Sequence, residues 1–428
     1  MPCASPSGIQ EACRFPEAAY PAVWPDTAQG TGSLSTIDVD IAVVGAGPVG
    51  GTLACRLAAS GRRVAVFDRA ALPPMEHPDF DGRAYAVAAG SRRLLQAAGL
   101  WDELPFVPCP IEDIRVSDGR VGRRASPLFL HFDHRSVGDE PFGHMVEARA
   151  LRVALNARLN RGRLHLFAPA EVRAERRAEG AMVQVAGGPA VRCRLVVAAE
   201  GRMSPLREQA GIPVTRVPYR QRGMVCALAH EKPHGNTALE HFLPSGPFAQ
   251  LPMTGTPDAP HLSAIVWTER AELADRLMRF PPEQFAREAG RRLGGHLGAV
   301  RPAGRRWMYD LSAMHAHRYV DTRLALVGDA AHGIHPIAGQ GLNLGFRDAI
   351  TLADLLDGVD DPGDAGLLRR YQAARRPDNL LMLGATDALD RLFSTDNLLV
   401  RAARDVGIAA VDRVPGLKRV FMRVAMGA

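Results

Sequence analysis

The stretch Gly328-Asp329-Ala330-Ala331-His332-Gly333-Ile334-His335-Pro336-Ile337-Ala338-Gly339-Gln340-Gly341-Leu342-Asn343-Leu344-Gly345-Phe346-Arg347-Asp348-Ala349 decides how this chain reads. An apolar run, Leu324 to Val327, precedes it. Leu342, Phe346, Ala349, Ala353 and Leu356 then recur at helical spacing, so the segment predicts strand, Gly-rich loop and helix in that order. Such loops bind phosphates or planar anions. An acid at the strand end, Asp329, can take a sugar hydroxyl, glycines let the backbone approach a ligand, and the new helix offers unpaired N–H groups to negative charge.

A second loop of this kind lies near the start. Ile41 to Val44 reads as a buried strand, Gly45-Ala46-Gly47-Pro48-Val49-Gly50 as a tight turn, and Val49, Leu53 and Leu57 as one face of a helix. Another strand, Val64 to Phe67, ends in Asp68. This is the dinucleotide fingerprint in its required context. Gly45 serves the turn, Gly47 the approach of a pyrophosphate and Gly50 helix packing, with Asp68 placed for the adenosine ribose. No second GxGxxG follows a strand further on, so no separate NAD(P)H-binding domain is expected.

Three more segments extend the pattern: Asp81-Gly82-Arg83-Ala84-Tyr85-Ala86-Val87, Gly143-His144-Met145-Val146-Glu147-Ala148-Arg149-Ala150-Leu151, and Glu200-Gly201-Arg202-Met203-Ser204-Pro205-Leu206-Arg207 after the apolar run Leu195 to Ala199. In this order the five segments resemble the class A FAD-dependent aromatic monooxygenases. The unbroken string His335 to Asn343 is similar to the branch that hydroxylates ubiquinone precursors, the UbiH/UbiF/VisC type. The resemblance covers about residues 37 to 428. Two positions depart from it: Asp68 stands where the family more often has Glu, and Glu200 where its DGxxSxxR box has Asp.

The resemblance implies an α/β fold in which a Rossmann-like FAD-binding domain of the para-hydroxybenzoate hydroxylase type is interleaved with an antiparallel-sheet substrate domain and followed by a C-terminal helical region. The expected divisions are 37–115, 143–212 and 316–358 for the FAD domain, 116–142 and 213–315 for the substrate domain, and 364–428 for the helical region. Segments such as Met224 to Ala229, Ala238 to Leu243 and Leu262 to Trp267 carry the alternation of strands in that sheet. Cofactor contacts are carried over to Arg83, Arg149, Glu200, Gly201, Asp329, Gly339, Gly341, Leu342 and Asn343, beside Gly45, Gly47, Gly50 and Asp68. His144 is a weaker carry-over. Near the chemistry, the N–H groups of Gly341 and Leu342 would stabilise charge on reduced FAD, and Pro336 would wall flavin from substrate. His335 and His332 are either loop-ordering or catalytic, and no base for the phenol is named.

The implied reaction is hydroxylation of the ring of a polyprenylated phenol in ubiquinone biosynthesis, with O2 and with electrons from NAD(P)H or a reduced protein. Two alternatives stay open: a monooxygenase of a soluble phenol or secondary metabolite, and a non-catalytic flavoprotein subunit of a lipid-modifying complex. Which ring position reacts is not legible.

Composition fits a globular chain: 428 residues, 46% apolar and 23% charged. Six scattered cysteines without a CxxC pair favour reduced thiols and a cytoplasmic setting over a disulfide framework, and suggest no metal site. The formal charge of +6 comes with only two lysines and no basic patch interleaved with aromatics, which argues against nucleic acid as a partner. Residues 1–36, with five prolines, read as a flexible extension. Leu417, Val420, Phe421 and Val424 fall on one helical face opposite Arg419 and Arg423, a pattern suited to an anionic membrane surface or a partner in a ubiquinone-biosynthesis complex. A helix packed on its own domain fits the same pattern. A homo-oligomer is left open.

Overall fold

A computed structural model describes residues 36–72, 80–119, 121–122, 129–161, 164–335 and 339–393. Pro336, the extension before residue 36 and the segment Leu417 to Met426 lie outside the described residues.

At the centre of the first half is a six-stranded sheet. Ile41–Val44 pairs in parallel with Val64–Phe67 on one side and with Leu195–Ala198 on the other. Leu164–Phe167 and Leu324–Leu326 extend the parallel order outward, and the short antiparallel strand Val320–Asp321 closes one edge. The strands Ile41–Val44, Val64–Phe67, Leu195–Ala198 and Leu324–Leu326 are buried at every residue, which is why they read as unbroken apolar runs. Helix Pro48–Ala59 starts directly after the Gly-rich turn with proline in its first turn, where a missing N–H costs nothing. Helices Ala148–Arg161 and Gln340–Leu356 pack beside it.

The second large sheet has eight strands in the order His332–Gly333, Val300–Ala316, Val214–His230, Leu262–Arg270, Gly246–Met253, Thr237–Leu243, Asp113–Asp118 and Phe129–Asp133. Every pair is antiparallel except Thr237–Leu243 with Asp113–Asp118, so the sheet is mixed where antiparallel strands alone were expected. The parallel pair arises because the chain leaves this sheet after residue 133, builds much of the layer around the six-stranded sheet, and returns to the same edge over a hundred residues later. One face carries Trp267, Phe248 and Ile265 under the helices Ala271–Met278 and Pro282–Leu293. The other carries Val225, Leu251 and Val266 towards the nucleotide loops. With both faces covered, Gly246–Met253 is buried along its whole length.

Two smaller sheets were not expected. Ala84–Ala88, Gly143–Glu147 and Cys109–Ile111 form one, and Ile37–Asp38, Ala190–Cys193, Gly180–Val185 and Val172–Arg177 the other. The 29-residue helix Ala365–Phe393 docks on the first sheet through Tyr371, whose hydroxyl donates to the Leu326 carbonyl at 2.8 Å.

Candidate functional site

A single cavity of about 1000 Å³ runs from the Gly45–Gly50 turn to the apolar face of the eight-stranded sheet. This is the upper end of the ~300–1000 Å³ usual for small-molecule sites. The three glycines of the turn are required for different reasons. A Cβ on Gly45 would lie 2.3 Å from the Ala199 carbonyl oxygen, and the residue has φ +107°; a Cβ on Gly50 would lie 2.1 Å from the Gly45 carbonyl oxygen. Both are demanded by the chain itself. A Cβ on Gly47 would meet nothing within 4 Å, so this backbone faces open cavity, as a turn that receives a pyrophosphate must. Asp68, at the end of the next strand, also lines the cavity; its carboxylate accepts from Ala46 N at 2.8 Å and Ala70 N at 2.9 Å, which fixes its direction.

The opposite rim comes from the second loop. Asp329, Gly339, Gly341 and Leu342 all line the cavity. Helix Gln340–Leu356 begins after Gly339, held at φ +63°, so the N–H groups of Gly341 and Leu342 belong to a first turn with no intrahelical partners. Gly341, like Gly47, has nothing within 4 Å of an added Cβ. Open backbone at both loops and the size of the cavity fit a dinucleotide cofactor.

Behind this rim the loop is anchored by side chains rather than left to its own turns. Asp348 is fully buried and accepts from Gly328 N at 3.0 Å, Arg375 Nε at 2.8 Å and Asn379 Nδ2 at 3.1 Å, with His332 Nε2 at 2.6 Å. Burial pushes this carboxyl up, but the charges and hydrogen bonds of His332 and Arg375 outweigh it and hold it below its ordinary value. Arg207, 1% exposed, donates to the carbonyls of Ala330 at 3.0 Å and Arg202 at 2.9 Å, joining this loop to the Glu200–Arg207 segment. Asn343 is also buried. Its side chain accepts from Ala88 N and Ser91 Oγ and donates to the Ala86 carbonyl, so it is fully used in locking the helix start to the strand Ala84–Ala88.

Glu200 and Gly201 line the cavity between the two loops. The Glu200 carboxyl accepts from Ser204 Oγ at 2.5 Å and Leu206 N at 3.1 Å; burial still pushes its pKa up to about 7. Arg202 Nε reaches Asp329 at 3.3 Å.

The structure brings together Gly45, Gly47, Gly50, Asp68, Glu200, Gly201, Asp329, Gly339, Gly341 and Leu342 on one cavity. It does not place Arg83 or Arg149 there. Arg83 pairs with Asp81 at 2.5 Å and lies 4.3 Å over the Trp307 ring, while Arg149 pairs with Glu147 at 2.5 Å and lies 4.2 Å over Phe106. His144 packs edge-on to Trp101 at 5.2 Å, and burial pushes its pKa down. His335 is fully buried, edge-on to Tyr219 at 5.1 Å. Sequence reasoning missed Asp348, Arg375 and the wall residues Tyr85 and Tyr309. Asp348 was legible only as a polar residue interrupting the apolar face of its helix, and Arg375 carries no local signal at all.

The FAD binding domain family matches residues 38–382 of this chain. A ubiquinone hydroxylase, UbiL of Rhodospirillum rubrum, is 50% identical over 405 residues, covering 93% of this chain and 91% of that protein. The 3-demethoxyubiquinol 3-hydroxylase of Escherichia coli is 33% identical over 400 residues, covering 91% and 98%. In fold, the chain resembles the p-nitrophenol 4-monooxygenase PnpA of Pseudomonas putida, with TM-score 0.72 at 20% identity over 92% of this chain and 99% of that one. FAD is thus the cofactor of this protein. The chain belongs to the FAD binding domain family, among the class A FAD-dependent aromatic monooxygenases that include these ubiquinone hydroxylases.

Proposed function

We propose that this enzyme hydroxylates the aromatic ring of a polyprenylated phenol on the route to ubiquinone, taking O2 and electrons from NAD(P)H or a reduced protein donor. The observation that carries the reading is the continuity of one cavity between the two nucleotide-type loops and the apolar wall of Val225, Leu251 and Val266. Bound FAD supplies the electrons and activates oxygen. What remains for the protein is to hold an apolar ring against the cofactor, dry and aligned.

The residues divide that work. Gly47 lets the pyrophosphate approach, Asp68 takes the adenosine ribose and Asp329 the ribityl hydroxyls. The N–H groups of Gly341 and Leu342, with the dipole of helix Gln340–Leu356 behind them, favour the negative charge that reduction brings. Glu200, neutral or charged near pH 7, sits where the family has the shorter Asp and takes its place beside the cofactor. Val225, Leu251 and Val266 supply a wall that a phenol prefers to water.

A polyprenyl tail stays in a bilayer because each buried CH2 is worth about 0.8 kcal/mol. Among the described residues no helix is long and apolar enough to cross a membrane. The enzyme therefore meets its substrate at a membrane surface or within a complex. The six basic and two acidic side chains of residues 401–428 are the contact we assign to that step.

Oxygen uptake by the FAD-loaded enzyme with a short-tailed prenylated phenol, followed by the mass of the product, tests the reading. One added oxygen atom on the ring supports it. Turnover confined to untailed phenols would move the substrate to soluble metabolites, and flavin that never oxidises a phenol would make the chain a non-catalytic subunit.

A further inference from the structure

Glu240 is a carboxyl that the fold buries and leaves unpaired. It stands in the strand Thr237–Leu243 at 7% exposure, and no hydrogen bond or ion pair engages its carboxyl among the described residues. Several other buried polar side chains of the same sheet do have partners. On the opposite face His230 Nε2 meets Ser263 Oγ at 2.9 Å, and Gln250 Nε2 donates to the same hydroxyl at 3.0 Å. Arg292, from the covering helix, reaches Glu269 at 3.5 Å. A buried polar group without a partner lowers stability. With no partner among the described residues, the Glu240 carboxyl has its hydrogen-bonding capacity free for a group that arrives from outside.

Register shows where that group would arrive. Glu240 stands directly opposite Ala249, Ala249 opposite Val266, and Val266 opposite Val225. Directly opposed residues share a face, so Glu240 lies in one cross-strand row with two residues of the cavity wall. Leu251, two residues from Ala249 and on the same face, lines the cavity as well. In that row Ala249, with a single methyl, stands between Glu240 and Val266; Glu240 and Ala249 lie just beyond the residues that line the cavity. Strands are spaced by about 4.8 Å, and a glutamate side chain is long enough to reach over one alanine. Burial pushes the Glu240 pKa up to about 8, so near neutral pH the group is a carboxylic acid that offers one O–H donor and a carbonyl acceptor.

We propose that Glu240 hydrogen-bonds the ring oxygen of the bound phenol and thereby selects which ring carbon is turned towards the flavin. This specificity-determining contact rests on the phenol reading given above. It adds an acid to a wall whose sheet residues Val225, Leu251 and Val266 are apolar.

The test uses the full-length, FAD-loaded enzyme with Glu240→Leu and Glu240→Gln. A short-tailed prenylated phenol and the matching prenylbenzene, which lacks the oxygen, are titrated against the visible difference spectrum of the flavin; melting temperature and the ratio of hydroxylated isomers are read alongside. Glu240→Leu is expected to keep its FAD and to melt at or above the wild-type temperature. It should bind the phenol at least about tenfold more weakly, the loss of one buried hydrogen bond, bind prenylbenzene as before, and give mixed isomers. Glu240→Gln, which can still donate and accept, is expected to stay within a few-fold of wild type. Unchanged phenol binding by the Leu variant, or equal losses for phenol and hydrocarbon, overturns the proposal and leaves Glu240 to the fold alone. Glu240-dependent binding of a phenol that the wild type never hydroxylates keeps the contact and removes the proposed reaction. A wild type that binds no phenol overturns both.

Discussion

On its nucleotide side the cavity is built of backbone: Gly47, Gly201, Gly339 and Gly341 present main chain to the space, the Gly47 turn bonded to Asp68 and the other loops held from behind by Asp348, Arg207 and Asn343. On its far side it is built of side chains, Val225, Leu251 and Val266, gathered from three neighbouring strands by pairing register. A backbone surface depends on local conformation, so it leaves a motif in the sequence and tolerates almost no substitution. A register surface depends on long-range pairing. It leaves only alternation and can change its ligand by single side chains. The cofactor side is therefore where a family keeps its chemistry, and the sheet side is where its members diverge in substrate.

The largest effect should come from the support behind the backbone wall. Asp348→Ala removes the acceptor shared by Gly328 N, His332, Arg375 and Asn379 and leaves the Arg375 guanidinium without its buried partner. Breaking such a pair costs about 3–5 kcal/mol. The variant is expected to melt well below wild type and to release FAD on dilution. A wild-type melting temperature with FAD retained would show that the loop holds its shape unaided.

Next in size is a contrast within one turn. Gly45→Ala places a Cβ against the Ala199 carbonyl oxygen and destabilises the protein with or without FAD, at the upper end of the ~1–3 kcal/mol typical of overpacking. Gly47→Ala meets no protein atom. Its apoprotein should melt like the wild type, while its affinity for FAD falls by at least about tenfold. Melting curves of both apoproteins, with FAD titrations followed by flavin fluorescence, separate the two. Equal destabilisation of both apoproteins would show Gly47 to be structural after all.

The register wall should respond in the opposite sense. Val266→Ala removes apolar volume beside the ring at a cost near 1 kcal/mol of substrate binding. Phenol turnover is expected to fall a few-fold through KM, with FAD content and melting temperature almost unchanged. Loss of FAD in this variant would erase the division between the walls.

That division also explains what the sequence disclosed. The strands Ile41–Val44 and Val64–Phe67 and the helix Gln340–Leu356 were legible because burial on both faces, or on one helical stripe, writes itself into every few residues. The parallel pairing of Thr237–Leu243 with Asp113–Asp118 was not, since nothing local records which edge a returning strand chooses. Among the candidate residues, Gly47 and Asp329 could be picked out because a ligand loop needs those residue types. Arg83 and Arg149 drew attention through the same kind of pattern, yet their guanidinium groups are taken up by Asp81 and Glu147. Asp348 and Glu240 stayed hidden because their meaning lies in partners, or a lack of them, more than twenty-five residues away or across a sheet.

The smallest effect concerns Glu200, which lines the cavity between the two loops with a carboxyl longer than the family's own. Burial raises its pKa from 4.5 to about 7 despite the hydrogen bonds from Ser204 and Leu206 N. Between these values the folded apoprotein keeps a proton that the unfolded chain has already released, so raising the pH favours unfolding. The contribution is fully present below about pH 4.5 and is lost as the pH rises through about 7. Because Glu200 borders a cavity that water enters, the loss should be on the order of 1 kcal/mol or less. Glu200→Gln cannot titrate. Melting temperatures of the two apoproteins, measured from pH 5 to pH 8, should therefore converge in slope outside this window and diverge inside it, the wild type falling more steeply. Parallel curves throughout would mean that the carboxyl is already ionised in the folded protein, held by Arg207 and Arg69 more firmly than its burial implies, and that the added methylene has changed its reach but not its charge.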